Sequence, residues 1–202
     1  MAGYSIEIYT VTKDSGLYIP FFLDHYKSRF PNCIINIYNN GIPDTMLKLC
    51  KENQCNIIPW GPYSEKKLQI TKNTCWQKSK ADWVIVCDID EIVDVTLADI
   101  EALPEDVNII TFCGYQMLSR KYTAVPLEDL THGNLDTGYS KYVMFKPAFK
   151  RVIYDMGAHT ARLSGITSKK VFNLLHYNQG YLKHINNSKM RHFKYRNITK
   201  VL

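Results

Sequence analysis

The sequence lacks the long apolar run that would cross a membrane, and it lacks the paired cysteine motifs that bind zinc. No window approaches the run of about 18 apolar residues that a spanning helix needs, and the first residues show no secretory signal pattern. The six cysteines form no CxxC pair, and several lie inside apolar runs. We therefore expect reduced core thiols, a cytoplasmic location and no transmembrane segment.

Internal repeats, low-complexity tracts and linkers are also absent, so the 202 residues predict one globular unit. Whether that unit is one part of a longer polypeptide with further domains is left open. The formal net charge of +6 suits an anionic small molecule as well as a nucleic acid or a membrane surface. We expect no nucleic-acid partner, although the basic, aromatic stretch at 189–200 keeps a nucleic-acid module among the alternatives.

Strand and helix patterns alternate through the first half of the chain. Apolar or period-two runs predict strands at 4–11, 33–39, 55–60 and 82–87, and helical spacing predicts helices at 17–30, 45–54 and 64–81. This alternation is typical of βαβ units, so we predict a mostly parallel sheet flanked by helices through about residue 90.

The pattern changes after a predicted short helix at 96–104. Strand-like segments linked by polar loops follow at 107–118, 141–149, 150–157 and 169–177, and the last stretch, 180–197, has a helical pattern. The fold class is therefore α/β, with a mostly parallel central sheet and a more antiparallel C-terminal half.

An acidic cluster, Asp88, Asp90 and Glu91, follows the apolar run "WVIVC". Side chains two positions apart on an extended strand point the same way, so we expect Asp88 and Asp90 to share a face. They would border the crevice in which open α/β sheets bind ligands. Two such oxygen donors suit Mg²⁺ or Mn²⁺ with positions left for phosphate oxygens. A solvated turn with helix-capping acids is the simpler alternative.

Two other motifs share this DxD pattern. An EF-hand loop is excluded, because Val93 stands where its glycine is needed. A phosphatase of the haloacid-dehalogenase type would use Asp88 as its nucleophile. Its strand normally opens the domain, whereas here several βα units precede it.

The motifs "IEIYTVTKDSG", "INIYNNGIPDT", "ITKNTCWQKSKADWVIVCDIDE" and "LLHY" occur in an order that resembles nucleotide-sugar glycosyltransferases of the GT-A fold, of the family-2-like type. The resemblance spans nearly the whole chain. The chain is also similar to the amino-terminal glycosyltransferase domain encoded by chlorella viruses, which would place it in a host cytoplasm. It departs from the family at Asn39 and Asn40, where many relatives carry Asp, and no clear Glu-Asp base motif follows the DxD.

The resemblance implies a single GT-A-like domain over 1–202, with a nucleotide-binding half at 1–92. Residues 93–202 would form the acceptor half and a C-terminal lid. It implies a metal-dependent glycosyltransferase of the hexosyltransferase type, which uses Mn²⁺ or Mg²⁺ to move a sugar from a UDP-sugar donor to a glycan acceptor. A non-catalytic nucleotide-sugar binding domain is the remaining alternative.

The resemblance also assigns roles to the acidic cluster and to a late histidine. Asp88 would hold the ribose or a metal-bound water, Asp90 would ligate the metal, and Glu91 would orient a ligand. His176, in "LLHYNQG", would complete the metal site, with His159 as its competitor. An imidazole ligand would favour Mn²⁺ over Mg²⁺.

The remaining candidate residues fall into three groups. The predicted nucleobase pocket consists of Thr10, Val11, Thr12, Lys13 and Asn39. The predicted cationic contacts to the diphosphate are Lys72, Lys146, Lys183, Lys189 and Arg191. An inverting reaction needs a carboxylate base, for which Asp136 and Asp155 are the candidates, whereas a retaining reaction needs none.

Overall fold

The structure is a computed structural model that describes residues 3–12, 17–118, 126–149, 152–156 and 161–177, together with the backbone of 191–192. The α-helices in this part of the chain are α1 (Tyr18–Arg29), α2 (Asp44–Glu52), α3 (Glu65–Thr74) and α4 (Leu97–Glu101). The strands are β1 (Ile6–Thr12), β2 (Ile34–Asn39), β3 (Asn56–Pro59), β4 (Trp83–Val86), β5 (Glu91–Asp94), β6 (Ile109–Leu118), β7 (His132–Leu135), β8 (Met144–Phe145), β9 (Val152–Tyr154), β10 (Ala161–Leu163), β11 (Thr167–His176) and β12 (Arg191–His192).

Most strands form one large sheet in the order β12-β7-β6-β8-β4-β1-β2-β3, and β11 and β5 join it through β6. The β3, β2, β1 and β4 strands run parallel, with helices α1, α2 and α3 in the crossovers. Beyond β4 the pairing is largely antiparallel, as in β4 with β8 and β11 with β5. The predicted fold class, a mostly parallel central sheet with a more antiparallel second half, is confirmed.

Three predicted elements differ from the structure, and the first of them, the strand predicted at 141–149, is reduced to the two residues of β8. Helix α3 ends at Thr74, earlier than the predicted 81, and Cys75 caps it. The helix predicted at 180–197 is wrong at Arg191–His192, which pair antiparallel with β7 as a strand. Helical spacing in a polar stretch is a weak signal. Here the pairing of two of its residues with a sheet edge overrides it. The rest of that stretch lies outside the described residues.

The core lies on both faces of the sheet, and the alternation along β1 shows how. Ile8 is buried in the larger apolar cluster with Phe22 of α1. Tyr9 points to the other face, where it packs in a smaller cluster with Trp76 and Tyr154. Helix α1 therefore covers one face, and the segment after α3 covers the other together with the paired strands β9 and β10.

All six cysteines are free, and Cys33, Cys50 and Cys87 are buried, in agreement with the predicted core thiols. Within the part of the chain that the structure describes, no helix has both the length and the apolar character needed to span a membrane.

Candidate active site

The acidic cluster forms a tight turn between two strands. β4 ends at Val86, and the Glu91 N–H donates to the Asp88 carbonyl at 3.0 Å before the chain enters β5. The alternation of an extended strand therefore does not continue from Asp88 to Asp90, and the two carboxylates enter different ion pairs.

Asp88 lies between two buried lysines. Its Oδ1 is 2.6 Å from the Nζ of Lys72 on α3, and its Oδ2 is 3.4 Å from the Nζ of Lys141. Burial alone would raise the pKa of Asp88, but the two ammonium groups outweigh it and hold that pKa well below its usual range. Burial lowers the pKa of Lys141, but the carboxylates of Glu91 and Asp88 raise it by more. Asp88 is thus an anion and Lys141 a cation at neutral pH.

Glu91 is the fourth member of this charge cluster. Its side chain is fully buried, its Oε1 lies 2.6 Å from the Lys141 Nζ, and its Oε2 accepts the Asp88 N–H at 2.9 Å. Two lysines and two carboxylates thus alternate along the chain of contacts Lys72, Asp88, Lys141, Glu91. Buried charges persist when they are paired in this way. We refer to these four residues as the buried tetrad.

Asp90 pairs instead with His176, the last residue of β11. The His176 Nε2 lies 3.3 Å from the Asp90 Oδ2, and the Nδ1 lies 2.8 Å from the Gln116 Oε1 on neighbouring β6. The Tyr177 N–H donates to the Asp90 carbonyl at 2.7 Å, which holds the end of β11 against the turn. Burial lowers the pKa of His176, but the hydrogen bond to Asp90 and its charge outweigh burial, so the pKa is raised. The fold therefore brings together Asp90 and His176, two of the predicted metal-site residues.

A divalent cation fits this donor pair. Asp90 supplies a carboxylate oxygen, His176 supplies an imidazole nitrogen, and Gln116 orients the imidazole from the opposite edge, as residues behind metal ligands commonly do. Among the described residues, no group of three or more His, Cys, Asp or Glu could hold a metal. A cation here would have two protein ligands and would take its others from phosphate oxygens and water, and the imidazole ligand favours Mn²⁺ over Mg²⁺.

A narrow crevice, with essentially no room for a water molecule, lies between β1, β2, α3 and β4, beside the buried tetrad. Its lining includes Thr10 and Val11 from the predicted nucleobase pocket, as well as Tyr38, Thr71 and Lys72. It lies at the carboxyl ends of parallel strands, where open α/β sheets bind ligands.

The two asparagines in the turn after β2 make different contacts. The Asn39 Oδ1 accepts the N–H groups of Gly41 and Ile42 at 2.9 and 2.8 Å, so it shapes the turn. The Asn40 N–H donates to the Thr12 carbonyl at 2.9 Å, which joins the ends of β1 and β2. The Asn40 Nδ2 is buried without a hydrogen-bond partner among the described residues, so a polar donor remains at the carboxyl end of β2.

Two predicted residues, Lys146 and Asp155, lie away from this centre, whereas Asp136 belongs to the segment that leads to Tyr139. Lys146 is wrong as a diphosphate contact, because its Nζ binds the Glu105 carbonyl and lies over Trp83, at the amino end of β4. Asp155 pairs with the exposed Arg162 at 3.4 Å. Asp136 caps the short 3₁₀ turn at Thr137–Tyr139, accepting the Gly138 N–H.

Four of the remaining candidates cannot be placed, because Lys13, His159, Lys183 and Lys189 lie outside the described residues. Of Arg191, only the backbone, in β12, is described.

Sequence reasoning missed three residues of this site: Lys141, Gln116 and Tyr139, whose ring stacks on His176. A weak signal existed for Gln116, a polar residue in the apolar run of β6. Nothing in the sequence distinguishes Lys141 from a solvated surface lysine. The role of Asn73 was also missed, since its amide binds both backbone groups of Tyr154 and ties β9 to α3.

Solved structures show what this fold is similar to. S. aureus TarS 1–349 matches with a TM-score of 0.54 and 12% identity over 86% of this chain and 60% of that one. The same protein in complex with UDP matches with a TM-score of 0.54 and 11% identity over the same shares. Glucosyl-3-phosphoglycerate synthase from Mycobacterium tuberculosis, in complex with Mn²⁺ and UDP, matches less well, at 0.48 and 11% identity over 88% of this chain and 74% of that one.

These structural neighbours are GT-A glycosyltransferases, and at such identities the likeness shows the fold. This chain spans 60% of the length of TarS 1–349. No protein-family model and no curated protein matches the sequence. The structure therefore belongs to the GT-A class of mixed α/β folds.

Proposed function

We propose that this chain is a metal-dependent glycosyltransferase that transfers a hexosyl group from a UDP-sugar to a glycan acceptor. The observation that carries the proposal is the Asp90–His176 pair, a carboxylate and an imidazole 3.3 Å apart at the edge of a GT-A sheet where parallel strands end. The adjacent crevice between β1, β2 and α3 lies where parallel strands end, the place at which open α/β sheets bind ligands, and it would have to widen to admit the nucleoside of the donor.

The charges around Asp90 fit this chemistry. Cleavage of a sugar–phosphate bond leaves a nucleoside diphosphate with growing negative charge, and a divalent cation at Asp90 and His176 would supply electrostatic stabilisation of that charge. Lys72 and Lys141 cancel the charge of Asp88, which would otherwise repel the diphosphate. About one third of the Asp88 side chain stays exposed, so it can accept a hydrogen bond from the ribose.

Of the two candidate bases for an inverting reaction, we propose Asp136. It belongs to the segment that places Tyr139 on His176 and Lys141 in the buried tetrad. Asp155 instead faces Arg162, whose side chain is 82% exposed. Asp136 is therefore the carboxylate tied to the reaction centre by its own segment.

The alternatives are weaker on structural grounds. Both carboxylate oxygens of Asp88 contact lysine ammonium groups, which disfavours its use as the nucleophile of a phosphatase. The GT-A fold also favours glycosyl transfer. Only a measurement of turnover distinguishes a non-catalytic nucleotide-sugar binding domain from an enzyme.

Calorimetry with UDP tests the donor site. We expect UDP to bind appreciably in Mn²⁺ or Mg²⁺ and at least tenfold more weakly in a chelator, because the cation neutralises the diphosphate beside Asp90. Asp90→Asn should lose this metal-dependent part, whereas Asp24→Asn, at an exposed position of α1, should match the parent. Equal UDP affinity with and without a divalent cation would contradict metal dependence.

Turnover is tested with a panel of UDP-sugars, with release of UDP as the readout. Slow hydrolysis of one donor without acceptor, lost in Asp90→Asn, would support an enzyme. Tight binding of UDP with no release from any donor, with or without glycan acceptors, would support the binding-domain alternative.

A further inference from the structure

The segment from Asp136 to Lys141 is clamped to β6 at Gly114. The Gly114 N–H donates to the Ser140 Oγ at 3.0 Å, and the Asp136 N–H donates to the Gly114 carbonyl at 3.0 Å. A Cβ at Gly114 would lie 2.3 Å from the carbonyl carbon of Tyr139, closer than two non-bonded carbon atoms can approach. The glycine therefore allows backbone contact between the segment and the sheet.

This clamp places the ring of Tyr139 on the imidazole of His176. The ring centroids are 3.9 Å apart and the planes are inclined by 22°. The hydrogen bond between the His176 Nδ1 and Gln116 fixes the direction of one ring atom but tolerates tilting of the ring. A second ring stacked on one face removes that tilt, so the two contacts together aim Nε2 at Asp90.

The same segment ends at Lys141, whose Nζ lies between Glu91 and Asp88. Displacement of Tyr139 would therefore act on the imidazole directly, while Lys141 stays held by its two ion pairs. The effect of the ring can be measured separately from that of the buried tetrad.

We propose that Tyr139 is a positioning residue for a divalent-cation site, and that the flat face of its ring, rather than its hydroxyl, holds the His176 imidazole in the orientation that binds the ion. This inference rests on the proposed function, in which Asp90 and His176 hold the cation. Residues that orient metal ligands typically change metal affinity by 10- to 100-fold when they are removed. We expect the low end of that range here, because Gln116 still orients the imidazole.

The test uses Mn²⁺ titration followed by electron paramagnetic resonance, in the presence of UDP. Tyr139→Leu should raise the Kd for Mn²⁺ about tenfold, and Tyr139→Phe, which keeps the ring, should stay within about twofold of the parent. Tyr4→Leu, at an exposed tyrosine before β1, is the matched control and should not change the Kd. The spin-echo modulation that a coordinated imidazole nitrogen produces in the Mn²⁺ spectrum should persist in Tyr139→Phe and weaken in Tyr139→Leu.

The outcomes separate the two proposals. If the parent binds no Mn²⁺, the proposed function and this inference both fail. If the parent binds Mn²⁺ and Tyr139→Leu binds it equally well, this inference alone is overturned. If Tyr139→Phe is as weak as Tyr139→Leu, the hydroxyl and not the ring face is responsible, which also overturns it. Tyr139→Met, which keeps bulk without a planar face, replaces the leucine variant if that variant does not fold, with the same expected loss.

Discussion

Removal of the buried ammonium group of Lys141 is the most direct test of the charge cluster. The Lys141 side chain is 2% exposed, and its Nζ lies 2.6 Å from the Glu91 Oε1 and 3.4 Å from the Asp88 Oδ2. In Lys141→Met the apolar stem is retained, so the change is chiefly the loss of the charge. Asp88 keeps Lys72 as a partner, whereas the fully buried Glu91 loses its cation.

The magnitude follows from the burial of Glu91. Removing one partner of a buried ion pair costs about 3 to 5 kcal/mol of unfolding free energy, because an uncompensated charge stays in the interior. For a domain of this size that loss lowers the Tm by roughly 6 to 20 °C. It is also a large share of the ~5 to 15 kcal/mol total stability of a folded domain.

Denaturant unfolding of four variants checks the reasoning. Lys141→Met should show the full loss, and the double variant Lys141→Met with Glu91→Gln should recover more than half of it, since the glutamine carbonyl can still accept the Asp88 N–H. Lys48→Met, which removes an exposed ion pair with Glu52, should change stability by less than about 0.5 kcal/mol. Glu91→Gln alone completes the cycle. A Lys141→Met variant as stable as the parent, or a double variant no better than the single one, would refute the buried-charge argument.

Three further predictions concern other parts of the fold. Burial, aided by the charge of Arg29, lowers the pKa of His25 to about 3, although the hydrogen bond to Val93 opposes this shift. Below pH ~6.5 the unfolded state therefore gains a proton that the folded state does not. As the pH falls, the free energy of unfolding decreases by up to about 1.4 kcal/mol per pH unit. His25→Gln should therefore show a shallower loss of stability between pH 6 and 4, and equal slopes would contradict this origin. Asn73→Asp loses the donor to the Tyr154 carbonyl, which should speed hydrogen exchange in β9 and β10 while exchange in β1 stays unchanged; equal rates in β9 would argue against the anchor. Gly114→Ala should destabilise the fold by more than about 2 kcal/mol through its contact with the Tyr139 backbone, whereas Gly3→Ala, with open space around it, should be neutral; a stable Gly114→Ala would show that the segment can move away.

Local patterns in the sequence determine the architecture of the first half. β1 to β4 and α1 to α3 form where alternation and helical spacing predict them, because a period of two or 3.6 residues decides which side chains a strand or helix can bury. The position of Asp88 and Asp90 at the end of a buried strand follows from the same patterns. The late histidine was correctly located too, since the run "KKVFNLLH" predicts the strand that carries it.

Tertiary structure decided how those acidic residues are used. The turn from Asp88 to Glu91 separates the two carboxylates, and the pairing of β11 with β5 brings His176 to Asp90 rather than to Asp88. Lys141 lies 53 residues beyond Asp88 in the sequence. Its burial depends on contacts between distant segments, which no local period encodes, so in the sequence it cannot be told from a solvated lysine. A charge inside a protein is acceptable only where its partners are already in place, and only the folded chain specifies that place.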